Sequence, residues 1–222
     1  MRCWNKIGKW AAILSLAVFT WGCATSLVLR KVSLFYEGPK PAEVIDASAQ
    51  APSEILVAPF VDLRKNKKSF GTYIWGHLSV DYTSSPGTVA EAVTHLMNGF
   101  LQQAGLKTIS GQWDGELSSL SDIPTENAIY GEIERLDFSG RGRFYRADKR
   151  GIVRLIIKWG NRNTRKVVTR TVEVTPDRQD YHLLDTRYDH VSQMEGVIRK
   201  AINRAVREAM SKLFKTPESS RL

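Results

Sequence analysis

Both cysteines of the chain, Cys3 and Cys23, fall within its first 23 residues. Nothing downstream can be stapled by a disulfide or held by a cysteine-based metal site, so whatever folds there must do so on a packed apolar core. About 170 residues remain beyond the leader and linker described below, enough for one such core. The first residues also restrict where that core works. Arg2, Lys6 and Lys9 form a positive cluster, an uncharged run from Trp10 to Thr20 follows, and Gly22-Cys23-Ala24 closes it. That order is the pattern of a bacterial secretory signal.

A Cys after a small residue at the end of the apolar run resembles the lipobox of bacterial lipoproteins. Thr20 and Trp21 depart from that pattern, which has an aliphatic and a small residue at those places. The resemblance implies cleavage before Cys23, a diacylglycerol on its thiol and acylation of its new amino group. Ala24 after the Cys implies an outer-membrane destination, facing the periplasm. Two other readings of the leader stay open. No charge falls between Lys9 and Arg30, a length that also suits an uncleaved membrane-spanning helix, and an ordinary cleaved signal is the third. All three export the folded part.

The remainder divides by composition. Residues 1–22 are the leader, 23–53 the lipidated Cys and a linker, 54–214 the domain and 215–222 a tail. Within the linker, Leu27 to Tyr36 is apolar enough to form a short strand or a docking tail, and the Pro-rich and Ala/Ser-rich segments after it read as a semi-extended tether. The domain opens on the apolar run Ile55 to Val61, a strand in which Pro59 marks an end or an edge. Phe70 to Tyr82 reads either as a hairpin or as an irregular insertion. Thr88 to Ala104 is a helix: Thr88 and Glu91 form a capping box, Val89, Val93, Leu96, Met97, Phe100, Leu101 and Ala104 recur at helical spacing, and Gly105 suits the end. A short strand, Leu106 to Ile109, follows it. Ala128–Phe138, Gly151–Trp159 and Lys166–Val174 are strands, the last two joined by the turn at Gly160 to Asn163. Ser192 and Glu195 form a second capping box at the start of a helix ending near Phe214. The expected architecture is therefore α+β: a mixed or antiparallel sheet of about four to five strands with two amphipathic helices packed on one face.

The run Pro59-Phe60-Val61-Asp62-Leu63-Arg64, the helix closing on Ala104-Gly105-Leu106 and the strand Ala128-Ile129-Tyr130-Gly131-Glu132-Ile133 together resemble the YajG-like uncharacterised envelope lipoproteins. More distantly they resemble small-domain envelope lipoproteins that serve as auxiliary or assembly factors. The resemblance spans roughly Glu54 to Phe214, leaves Lys65 to Pro86 unmatched and carries over no catalytic residue. It implies a domain that acts by binding.

Charge is the strongest feature outside the leader. Between Arg141 and Arg170 eleven Lys or Arg residues face one acid, Asp148, in a chain whose formal net charge is +9. Arg141, Arg143, Arg146, Lys149, Arg150, Arg154 and Lys158 are the expected contacts to an anionic lipid, an envelope polymer or an acidic envelope protein. The plainer alternative is a wet sheet face on which Glu132 and Glu134 pair with Arg154, Lys158 or Arg170. Nucleic acid is not an expected partner, because export separates the chain from it and Arg150 to Leu155 lacks the aromatics of an RNA-binding sheet. A periplasmic enzyme is the alternative class, built on Asp177, Asp180, His182, Asp185, Asp189 and His190, whose carboxylates and imidazoles suit proton transfer or metal ligation. The same residues also suit a polar connector. No Gly-rich phosphate loop, His-Glu-x-x-His pair or Gly-x-Ser-x-Gly elbow occurs, and neither a cofactor nor a metal is expected.

Overall fold

A computed structural model describes residues 26–38, 54–143, 146–176, 181–182 and 190–214. In chain order the strands are β1 (Ser26–Ser33), β2 (Glu54–Val57), β3 (Val61–Asp62), β4 (Gly71–Trp75) and β5 (Leu78–Ser85). Helix α1 (Val89–Gln103) and β6 (Lys107–Ser110) come next, then β7 (Asn127–Arg143), β8 (Arg146–Asn161), β9 (Lys166–Val174), β10 (Tyr181–His182) and helix α2 (His190–Phe214). The ten strands form one curled sheet.

Its spine is the pair β7–β8, antiparallel from Asn127↔Asn161 to Arg143↔Arg146, with a bulge between Ile133 and Arg135. The free edge of β7 takes β2, β3 and β4 in succession, all parallel. Beyond β2 lies β6, and beyond β4 lie β5 and then β1. The far edge of β8 takes β9 along Val153 to Asn161 and β10 at Arg146 and Ala147.

The expected sheet of about four to five strands with two helices on one face is overturned. Two segments whose reading stayed open, Leu27 to Tyr36 and Phe70 to Tyr82, contain strands, and two strands extend past their expected ends. Residues 26–33 pair in parallel with β5, 71–85 form the β4–β5 hairpin, β7 continues past Phe138 to Arg143, and β8 begins at Arg146, ahead of Gly151. The added stretch of β7 has no apolar alternation of its own. It stays extended because Gly140 and Gly142 lie under aromatic rings of β4: a Cβ on Gly140 would stand 2.3 Å from Tyr73, and one on Gly142 2.9 Å from Trp75. Glycines and a flanking strand thus replace the hydrophobic pattern that marks a strand in sequence.

Both helices feed the larger core, with Leu96, Met97, Phe100, Ile198, Ile202 and Met210 against Ile129, Ile133, Leu155 and Ile157. Helix α1 is capped as its sequence requires, with the reciprocal bonds of Thr88 and Glu91 both present and Gly105 at φ +82 after the cap. The second capping box does not cap. Helix α2 already begins at His190, and Glu195 instead pairs with Arg30 of β1 at 2.5 Å. On the opposite sheet face Trp113, Leu120 and Ile123 cover Leu56, Ala58 and Ala128 as a smaller core.

Two polar devices lock the fold. Arg64 is 6% exposed; its guanidinium holds both oxygens of Asp62, at 2.9 and 2.8 Å, and donates to the Ser69 and Leu136 carbonyls. Burial pushes the Asp62 carboxyl up, but the bonds from Arg64 and its positive charge outweigh that and hold it below the usual range. Asn203, on the buried stripe of α2, accepts from the Glu37 amide at 2.8 Å and donates to the Phe35 and Arg199 carbonyls. It pins the chain just after β1, where Val32, Leu34 and Tyr36 are buried and Tyr36 meets Phe100 edge to face. Residues 26–36 are therefore part of the folded unit.

Candidate functional site

Strand geometry decides what the basic stretch becomes. Side chains alternate between faces along β8, so Ala147, Lys149, Val153, Leu155 and Ile157 turn inward while Asp148, Arg150, Arg154 and Lys158 turn outward. The outward cations meet acids. Arg150 pairs with Asp148 at 3.1 Å, Arg154 with Glu134 at 2.9 Å, and Lys158 with Glu116 at 2.8 Å. Lys158 also lies over the Tyr130 ring. Glu132, Asp137 and Glu173 share this face, which is a mixed-charge surface and not a positive one. Of the expected cross-strand pairs, Glu134 with Arg154 forms.

Lys149 is placed where no anion in solution meets it. It is 2% exposed, and its ammonium donates to Gln193 Oε1 of α2 at 2.8 Å. Burial lowers its pKa to about 8. Tyr73, whose own pKa burial raises, lies near His190 with ring centroids 6.4 Å apart. The result is a polar spot sealed beneath the first turn of α2.

Arg170 of β9 donates to the Lys212 carbonyl, and the remaining basic positions of the stretch lie at or near the two ends of β8. One end is the turn at Arg162 to Arg165, where Arg162 is engaged by the Ile123 carbonyl. The other is the β7–β8 tip, with exposed Arg141 and the strand-end positions of Arg143 and Arg146. Sixteen residues of strand separate them, about 50 Å at about 3.3 Å per residue. They cannot act as one patch.

Register gives the β7–β8 tip its neighbours. Ile74 and Trp75 of β4 lie beside Arg141 and Gly142, Trp75 pairs with Leu78 across the β4–β5 turn, and Leu78 pairs with Ser26 at the start of β1. The Ser26 amide donates to the His77 carbonyl at 3.1 Å. One rim of the sheet thus combines the start of β1, the β4–β5 turn and the basic tip. Trp75 is 51% exposed and Leu27 63%. The sequence reading missed Trp75 because it left Phe70 to Tyr82 undecided; the Trp75-Gly76-His77 break between two alternating runs was the available signal.

Cys23 lies outside the described residues, as do Asp177, Asp180, Asp185 and Asp189. Of the Asp/His segment, His182 pairs through its backbone with Arg146, and His190 opens α2 with its ring 6.2 Å from that of Trp75. Among the described residues no group of three or more His, Cys, Asp or Glu side chains is arranged to hold a metal, and no helix is long and apolar enough to cross a membrane.

No known protein-family profile matches the sequence, and no curated protein matches it. Among solved structures the chain is similar to a Xanthomonas campestris protein, XCC0632, of the DUF330 family: 9% identity, 86% of this chain and 98% of that one, TM-score 0.49. It is also similar to lipoprotein GNA1162 from Neisseria meningitidis, at 11% identity over 69% of this chain and 97% of that one, with a TM-score of 0.34. At these scores neither likeness carries an argument about activity or partner, and neither supports the YajG-like comparison specifically.

Proposed function

We propose that the chain is a lipid-anchored protein of the bacterial cell envelope, held at the periplasmic face of the outer membrane through Cys23. In this reading it works by binding, as an auxiliary or assembly factor, and not by catalysis. The observation that carries the proposal is the position of β1, whose first residue follows Cys23 by three and already lies in the sheet. The anchor therefore leads straight into the domain with no long tether, and the basic β7–β8 tip stands on the same rim. The tip is the contact surface, and its ligand is anionic: a lipid headgroup, an envelope polymer or an acidic envelope protein.

Intact mass and membrane fractionation of the wild type beside Cys23→Ser test the anchor. The wild type should carry the mass of a chain cleaved before an acylated Cys23, and Cys23→Ser should leave the membrane fraction. Two full-length, membrane-bound proteins would mean an uncleaved helix in its place and end the lipoprotein reading.

A further inference from the structure

We infer that the rim formed by the start of β1, the β4–β5 turn and the β7–β8 tip rests on the bilayer that holds the anchor, with Trp75 at the level of the lipid headgroups. The inference rests on the anchored reading above and names the bilayer surface, carrying anionic phospholipid, as the partner of that rim.

Distance comes first. Three residues of extended chain from Cys23 to Ser26 reach at most about 11 Å. An acylated Cys23 sits at the membrane surface, so Ser26 cannot stand farther from that surface than this reach. Ser26 is bonded to His77, and Leu78, Trp75 and Gly142 follow it along one end of the sheet. Whatever holds Ser26 near the lipid holds the whole end near it.

The chemistry of that end matches the place. Leu27 (63%), Leu29 (68%), Ile74 (38%) and Trp75 (51%) are large apolar side chains left in solvent on β1 and β4, which flank β5 at this end of the sheet. Tryptophan is the side chain most suited to the boundary between headgroups and acyl chains, having an apolar body and one N–H donor. Arg141 is exposed beside Ile74, and Arg143 and Arg146 occupy facing positions at the strand ends. Cations flanking apolar side chains are the arrangement that attracts an anionic lipid surface. The neutralised outer face of β8 and the sealed Lys149 have no such character.

The test uses the processed protein, with its acylated Cys23 and whole domain, in phosphatidylethanolamine vesicles containing a minority of phosphatidylglycerol, with tryptophan quenching by lipids brominated near the headgroup. Wild type should co-float with the vesicles and show a quenched component that Trp75→Phe abolishes while still co-floating. Arg141→Glu should reduce that component in phosphatidylglycerol vesicles and leave it unchanged in vesicles of phosphatidylethanolamine alone. Co-flotation with the same quenching in wild type and Trp75→Phe overturns the docking and leaves the anchor standing. Failure to co-float overturns both. Protection of Trp75 by self-association in detergent, without lipid, makes the rim an interface between copies and also overturns the docking.

Discussion

Arg64 and Lys149 are both buried cations, and they have opposite consequences. Arg64 is fully engaged by the Asp62 carboxylate and two carbonyls. Removing one partner of such a pair leaves a desolvated charge, and Arg64→Ala should cost about 3–5 kcal/mol in urea unfolding. Because the folded Asp62 carboxyl titrates lower than the unfolded one, its contribution is present above the unfolded value and is lost as pH falls through the folded one. Arg64→Ala should therefore flatten the acid limb of the stability curve; an unchanged limb would show that the pair does not act. Lys149 has a folded pKa lowered to about 8, so the unfolded chain binds more protons between that value and its usual one. Its presence then penalises folding below about pH 8, by about 3 kcal/mol at most, and the penalty fades as pH rises toward the unfolded value. Lys149→Met should raise the urea midpoint at neutral pH, with its advantage shrinking at pH values above the folded pKa. A constant difference across that range would mean that packing, and not charge, sets the effect.

At the scale of elements, the long β7–β8 pair is shaped by small residues under large ones. Gly131 lies under Phe60, Gly140 under Tyr73 and Gly151 under Phe138, so each ring spans a neighbouring strand where a Cβ would otherwise stand. These glycines and the bulge after Ile133 accompany the curl that carries one end of the pair into the β2–β6 wing and the other into the β4–β5–β1 wing. The attachment of β1 depends on more than its ladder. Asn203 of α2 holds the backbone at Phe35 and Glu37, and Asn203→Ala removes the side-chain partner of those part-buried groups. That substitution should cost about 1–3 kcal/mol and speed amide exchange across Ser26 to Ser33. Equal exchange in the two proteins would show that β1 is held by its pairing with β5 alone.

For the whole molecule, charge position matters more than charge count. The chain has a net charge of +9, yet the outer face of β8 is balanced by Glu116, Glu134 and Asp148. The rim sets exposed Arg141 beside the exposed apolar groups Ile74 and Trp75, next to the proposed anchor. Reversing Arg143 and Arg146 to Glu should weaken association with phosphatidylglycerol vesicles, most at low ionic strength, where screening is least. Reversing Arg154 and Lys158 should leave it nearly unchanged, as read by quenching of Trp75 by headgroup-brominated lipid, because the anchor alone carries the protein with the vesicles. Equal loss from both pairs would assign binding to net charge and not to the rim.

Helix α1, its cap and its buried stripe were legible from Thr88, Glu91 and the apolar spacing, because a helix is specified by contacts three and four residues apart. The inward Val153, Leu155 and Ile157 were legible for the same local reason, the two-residue period of a strand. The ten-strand sheet was not. Residues 26–33 lie in the sheet through their pairing with β5, and residues 139–142 through β4 on one side and β8 on the other; such pairing depends on residues distant in sequence. The candidate site divides in the same way. A dense positive charge was plain from composition, but which cations are buried, paired or left on the rim depends on strand phase and on where β1 returns to the sheet. Only tertiary structure sets either, since each is a relation between backbones that no single stretch of chain contains.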